Sequence, residues 1–268
     1  MKPQKVDTYE QYIQLVERYN RKGRFTNDYL QNEVADLIIH DRLFALCGQD
    51  NALLLVQKDG FCRVYYYVNN TEELLVLPES ELVTEILFRG ENDPETEVQW
   101  LERMGFKKNL VRDQYFAKYA SLTQPVIIVG VKIEIATAIE DVIWAIRLFN
   151  ASFDKWSGDY ISEAQAQLLI QEKAVLIAKD LLDGKRLGAL QFETRQGACW
   201  LNHVAVVPEA RGKKIGRGLT EAYIEQGHVD DNSRYMLWVQ RQNVSAVAMY
   251  CNKGFAPMNK STLSMIKL

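Results

Sequence analysis

Three observations predict a mixed α/β fold in two domains, the first the smaller, for this 268-residue chain. Apolar runs of strand length exchange with segments of 3.6-residue periodicity along the sequence. The segment Val206-Val207-Pro208-Glu209-Ala210-Arg211-Gly212-Lys213-Lys214-Ile215-Gly216-Arg217-Gly218-Leu219 passes from an apolar strand through a proline turn into a glycine-containing, cation-rich helix start. A strand, a helix and a Gly-Phe pair follow one another twice, at 85–106 and at 235–255. Composition agrees, because 47% hydrophobic with 25% charged residues is the balance of a soluble globular chain long enough for two domains.

The first domain is set at 1–122. Tyr65-Tyr66-Tyr67-Val68 reads as a strand whose tyrosines alternate between buried and exposed, rather than as a binding box. Glu85 to Phe88 reads as a strand, Asp93 to Met104 as a helix ended by Gly105-Phe106, and Gln114 to Tyr119 as a further strand. Ser121-Leu122-Thr123-Gln124-Pro125 then breaks the pattern and opens a second domain at 126–268. There, Val131 to Ile135 reads as a strand, followed by helices at Ile139 to Phe153 and Ser162 to Gln171. Strands are expected at Ala174 to Lys179, Leu187 to Thr194 and Cys199 to Val206, the last two joined by a turn at Arg195-Gln196-Gly197. A helix from Lys214 to Gln226, a strand from Arg234 to Val239, a helix from Asn243 to Lys253 closed by Gly254-Phe255, and a last strand at Leu263 to Leu268 complete this domain.

Backbone N–H groups at a helix start, with the positive end of the helix dipole behind them, attract anions. Gly212 and Gly216 keep that backbone approachable while Arg211, Lys213, Lys214 and Arg217 add charge, so a phosphorylated ligand is the first expectation. No Lys-Ser or Lys-Thr pair follows a glycine as a P-loop requires, and glycines at 212, 216 and 218 do not spell G-x-G-x-x-G, which argues against nucleotide hydrolysis and nicotinamide binding.

Taken together, R-G-K-K-I-G-R-G-L at 211–219 and N-V-S-A-V-A-M-Y-C-N-K-G-F at 243–255 resemble the acetyl-CoA-binding core of the GCN5-related N-acetyltransferase (GNAT) family. The resemblance implies that family's mixed sheet fold for the second domain, with acetyl-CoA as co-substrate. It places Arg211, Gly212, Lys213, Lys214, Ile215, Gly216 and Arg217 on the pyrophosphate loop, Asn243 at a helix-start asparagine, and Tyr250 beside the thioester as general acid. One position departs from the pattern, since Lys214 stands where glycine is usual. The fourth strand of the family bulges away from the fifth, which implies an oxyanion donor on the backbone near Val206 and coenzyme contacts at Val204 and Val206. Glu193 and His203 are the titratable groups nearest in sequence for accepting the amine's proton, with strand alternation turning His203 away from Asn202 and Val204. Trp156, Asp159 and Tyr160 fall in the loop that usually forms the acceptor pocket.

The first domain reads equally as a degenerate, non-catalytic copy of this fold or as an unrepeated α/β domain. Four residues before Gly105 stands Leu101, where the second copy has Tyr250, and no arginine-glycine loop lies between Val68 and Glu85. A net charge of −3 gives no reason to expect nucleic acid or an anionic membrane as partner. Scattered cysteines and three histidines supply no metal spacing and suit reduced thiols in the cytoplasm, and neither a signal-peptide core nor a spanning apolar run is present. Three classes therefore stand: an acetyltransferase for a small-molecule or peptide amine, a non-catalytic acyl-CoA sensor or scaffold, and an interaction protein meeting an acidic partner.

Overall fold

Thr8 opens the first helix, its hydroxyl accepting from the Gln11 N–H at 3.2 Å. Around that helix the computed structural model, which describes residues 2–21, 25–90, 94–123, 128–157 and 160–268, lays out the first half of the chain. The order is β1 (Gln4–Lys5), α1 (Tyr9–Tyr19), β2 (Phe25–Thr26), α2 (Val34–Ile39), β3 (Leu43–Cys47), β4 (Ala52–Lys58), β5 (Phe61–Val68), β6 (Leu82–Phe88), α3 (Glu95–Arg103) and β7 (Lys107–Lys118). The second half gives β8 (Val131–Ile135), α4 (Ile139–Ser152), α5 (Ala166–Gln171), β9 (Val175–Asp180), β10 (Arg186–Arg195), β11 (Ala198–Val206), α6 (Ile215–Gln226), β12 (Arg234–Gln240), α7 (Val244–Lys253) and β13 (Ala256–Lys267).

Two compact units result, residues 1–111 with 260–268 and residues 112–259. In the first, neighbouring strands run β1-β3-β4-β5-β6-β13, and in the second β7-β12-β11-β10-β9-β8. Among the described residues, β5 pairs parallel with β6 in the first unit and β11 with β12 in the second. One face of the first sheet packs on α1 and α2 through Tyr12, Val34, Leu37 and Leu54, and the other on α3 through Trp100, Leu101 and Ile86. The second sheet is covered by α4 and α5 through Val142, Phe149 and Leu169, and on its other face by α6 and α7 through Leu219, Tyr223 and Tyr250.

Both α3 and α7 stop in the same way. Gly105 and Gly254 take φ of 91° and 108°, and the following phenylalanine donates its N–H to Leu101 and Tyr250 respectively, at 3.1 and 3.0 Å. These are Schellman ends, which require a residue free to enter the left-handed region. A Cβ on Gly254 would lie 2.4 Å from the Ser121 carbonyl oxygen. Leu101 and Tyr250 thus occupy one position in two copies of the same strand-helix unit.

The last strand departs from the reading that gave it to the second domain. Its residues Ser261–Lys267 pair with Phe88–Leu82 of β6, and Leu263 and Met265 enter the core around Trp100. Reciprocally, Arg112–Lys118 of β7 pairs with Gln240–Arg234 of β12 and buries Tyr115 and Ala117 in the second unit. The sequence break at 121–125 is not the division between units; Ser121 to Thr123 runs along the end of α7, with Thr123 N–H on the Lys253 carbonyl at 3.0 Å. Gln124 and Pro125 lie outside the described residues. The three tyrosines of β5 do not alternate between core and solvent: Tyr66 and Tyr67 are buried on opposite faces and Tyr65 is half-buried, because both faces of this sheet are covered.

Candidate functional site

In the second unit, β11 runs parallel to β12 only from Cys199 to Leu201, against Tyr235 to Leu237. On its other edge the register with β10 jumps from Gln191↔His203 to Phe192↔Leu201, so Asn202 is an extra residue, a bulge that bends β11. Beyond it the strands part. Val207 N–H donates to the Leu187 carbonyl at 3.0 Å, and antiparallel alternation sends the N–H groups of Ala205 and His203 toward β10 as well. Those of Val204 and Val206 therefore point into the gap, with no partner strand to receive them.

The gap leads to the α6 start. The backbone N–H groups of Gly212, Lys214, Ile215, Gly216 and Arg217 have no acceptor among the described residues, the first α6 bond of this end being Gly218 to Lys214 at 3.0 Å. Lys214 sits at φ 64° with its side chain exposed, so the backbone takes the form usual for glycine while the ammonium stays in water. Gly216 leaves room beside it, a Cβ meeting Val206 Cγ2 at 3.7 Å. Gly218 does not, since a Cβ there would come within 2.9 Å of Ile133. This arrangement fits a diphosphate linked to an amide-bearing arm: donors at the helix start suit the anion, and two strand N–H groups suit carbonyl oxygens.

Tyr250 projects from α7 into the core on the α6 face, 3% exposed and edge-on to Phe255 at 5.8 Å between centroids. Burial raises its phenol well above the ordinary value, so the hydroxyl stays protonated. Asn243 caps α7, its Oδ1 accepting from Ala246 N–H at 3.2 Å, and its exposed amide group faces solvent. On the opposite face of the sheet lie Glu193 and His203. His203 is buried, with Nδ1 2.9 Å from Gln191 Oε1 and its ring between Phe149 and Phe153 at 5.3 Å each. Glu193 is half-buried, accepts from Asn202 Nδ2 at 3.2 Å and pairs with Arg195 at 3.3 Å.

Asn150, near the end of α4, donates to the Ile161 carbonyl at 2.8 Å and accepts from its N–H at 3.0 Å. Trp156 is half-buried there beneath Lys155, whose Nζ lies 5.1 Å from its ring, and Tyr160 is exposed. Asp159 lies outside the described residues. A hollow of about 930 Å³ is lined by Asp141, Trp144, Lys179, Arg186, Val207 and Lys213; of the candidate residues it touches Lys213 alone.

The model of the acetyltransferase (GNAT) family matches residues 143–255, the stretch that carries the parted strands, the loop and Tyr250. Residues 143–255 thus form a GNAT-family domain. A tandem GNAT protein from the clavulanic acid biosynthesis pathway superposes with TM-score 0.60 at 14% identity, over 99% of this chain and 97% of its own. A GCN5-related N-acetyltransferase from Sphaerobacter thermophilus gives 0.58 at 12% over 90% and 87%, and a GNAT acetyltransferase from Colwellia psychrerythraea 0.53 at 14% over the full length of both. At these identities the likeness concerns the fold, and it extends the GNAT architecture over both halves. No curated protein matches the chain in sequence.

Two features of this GNAT domain escaped the sequence reading. Asn202 was legible only as a polar residue interrupting an apolar strand. Lys253 and Glu221 form a buried ion pair at 2.5 Å that ties the end of α7 to α6, and Lys253 also donates to the Thr123 carbonyl at 2.5 Å. The i,i+4 spacing of Arg217 and Glu221, 3.9 Å apart, was the available signal for the acid, whereas nothing local marks Lys253 as its partner.

Proposed function

We propose that the chain transfers an acetyl group from acetyl-CoA to the primary amine of a small molecule or peptide, with the chemistry in 126–268 and none in 1–122. The observation that carries this reading is the set of unpaired main-chain donors at Val204 and Val206 and, at the α6 start, at Gly212, Lys214, Ile215, Gly216 and Arg217. Bound acetyl-CoA supplies an activated acyl carbonyl and a thiolate leaving group.

Gly212, Lys214, Ile215, Gly216 and Arg217 hold the diphosphate by backbone N–H, with Arg211, Lys213 and the Arg217 guanidinium adding charge. Val204 and Val206 N–H align the arm, and a strand donor of this edge steadies the developing oxyanion. Tyr250, on the α6 and α7 face, protonates the departing sulfur. Because β11 and β12 part, the amine enters from the α4 face, where the loop bearing Trp156, Asp159 and Tyr160 receives it. Glu193, held at the bulge by Asn202, takes its proton directly or through water, and His203 lies on the same face, next to Val204 along β11.

One observation favours the non-catalytic acyl-CoA sensor or scaffold: His203 is enclosed by Phe149 and Phe153 and Glu193 is already paired with Arg195. Turnover with a broad amine panel separates the two. Gly216→Leu tests the cradle itself. The Cβ has space, so the fold persists, while the longer chain covers the amides and raises the acetyl-CoA Kd at least about tenfold, the cost of one or two charge-assisted hydrogen bonds. An unchanged Kd by calorimetry refutes the cradle.

A further inference from the structure

The first unit repeats the parted parallel strands, and its own chain fills the opening. After the pairs Cys62↔Leu82 and Arg63↔Val83, β5 and β6 make no further bridges to each other. Into that place comes the segment after α1. β2 pairs antiparallel with β5, Phe25 with Val68 and Thr26 with Tyr67. Asn27, 3% exposed, spans the two separated strands: its Oδ1 accepts from Tyr66 N–H at 2.7 Å, while Nδ2 donates to Thr84 Oγ1 and to the Glu85 carbonyl, both at 2.9 Å.

Tyr66 is the third residue after the last β5/β6 pair, and Val204 is the third residue after the last β11/β12 pair. Val204 N–H is open, and Tyr66 N–H is taken by the carboxamide of Asn27. Where the second unit continues into a cationic helix start, the first has residues 69–81 without a helix. The carboxylate of Glu73 from that stretch is held instead by the N–H groups of Gln49, Asp50 and Asn51 at 2.6, 3.0 and 2.7 Å.

We propose that Phe25–Asn27 is a built-in occupant of the first unit's strand gap, with the Asn27 carboxamide standing where an amide of the coenzyme arm would pair, so that each chain binds one acyl-CoA and binds it in the second unit. The location of that one site rests on the reading above; the closure of the first gap rests on Asn27 alone. Burying an amide that satisfies donors and acceptors on both strands makes the closure part of the folded core, because leaving any of those groups unpaired is costly.

The test combines titration with hydrogen exchange on the full chain, using acetyl-CoA as the probe. One site per chain is expected, and Gly216→Leu should weaken that site with no undiminished one remaining. The Tyr66 amide should exchange slowly in free protein and be unaffected by acetyl-CoA, while the Val204 amide gains at least about tenfold protection. Two sites in the wild type, an undiminished site in Gly216→Leu, fast exchange at Tyr66, or protection gained there on adding acetyl-CoA each overturns the proposal. Absence of any binding together with slow Tyr66 exchange upholds the closure and refutes the acyl-CoA reading instead.

Discussion

Replacing Tyr250 by Phe removes one oxygen from a side chain that is 3% exposed and packed against Phe255. The hydroxyl has no hydrogen-bond partner among the described residues, so the fold should lose less than about 1 kcal/mol, the net worth of a hydrogen bond it does not make. Binding of acetyl-CoA through the main chain should be unaffected. Transfer should fall by roughly 10² to 10⁴, the usual share of a positioned general acid, or about 3–5 kcal/mol in the barrier. The pH profile adds a second readout. Burial raises the phenol above 10.0, so the protonated form persists through neutral pH and an alkaline limb due to Tyr250 lies above pH 10. The assay is steady-state transfer at saturating acetyl-CoA and amine, with Kd from calorimetry. Turnover within about threefold of wild type, well short of the loss expected of an acid, would refute the proton-donor role.

Lys214→Gly relieves a left-handed residue at φ 64° but loosens the unfolded chain, so urea titration should show a gain of about 0.5 kcal/mol, with acetyl-CoA Kd moving less than about fivefold because the ammonium is exposed. Lys253→Met leaves Glu221 buried without its 2.5 Å partner and should cost roughly 3–5 kcal/mol in denaturant unfolding, most of it recovered when Glu221→Leu is added. Burial pushes the Asp141 carboxyl up, but Lys179 at 2.6 Å and Arg186 at 2.7 Å outweigh it and hold the group below 3.8. Its folded value being the lower, Asp141 stabilises the protein above about pH 4 and ceases to as pH falls through that folded value; Asp141→Asn should therefore cost roughly 1–3 kcal/mol at pH 7, a difference that shrinks in acid titrations below pH 3.8.

Features encoded within a dozen residues were legible. Asn243 as a helix cap, Gly105 and Gly254 as left-handed stops, and Gly212 with Lys214 opening α6 each depend on the local backbone and their own side chains. From Tyr65 onward the expected helix and strand positions followed the apolar period, apart from ends, whereas the elements before it were not assigned from sequence. Less was legible wherever the partner of a strand edge mattered. An edge is a row of main-chain groups with no side-chain signature, so the sequence does not say that β13 joins β6, that β7 joins β12, or that β2 lies on β5. The facing of a strand after a bulge is hidden for the same reason: Asn202 shifts the count by one, and only the packing of His203 on Phe149 shows which side it serves.

By itself, then, the sequence determined the GNAT likeness of residues 143–255, the helix start with its spare donors, and the tyrosine placed five residues before Phe255, because capping, turn chemistry and periodicity act over short range. Tertiary structure alone decided which donors stay open. Val204 and Val206 are free because β12 diverges from β11, and Tyr66 is not free because a distant asparagine folds back onto it; both outcomes depend on long-range approach of backbone, which conformational entropy and burial settle together.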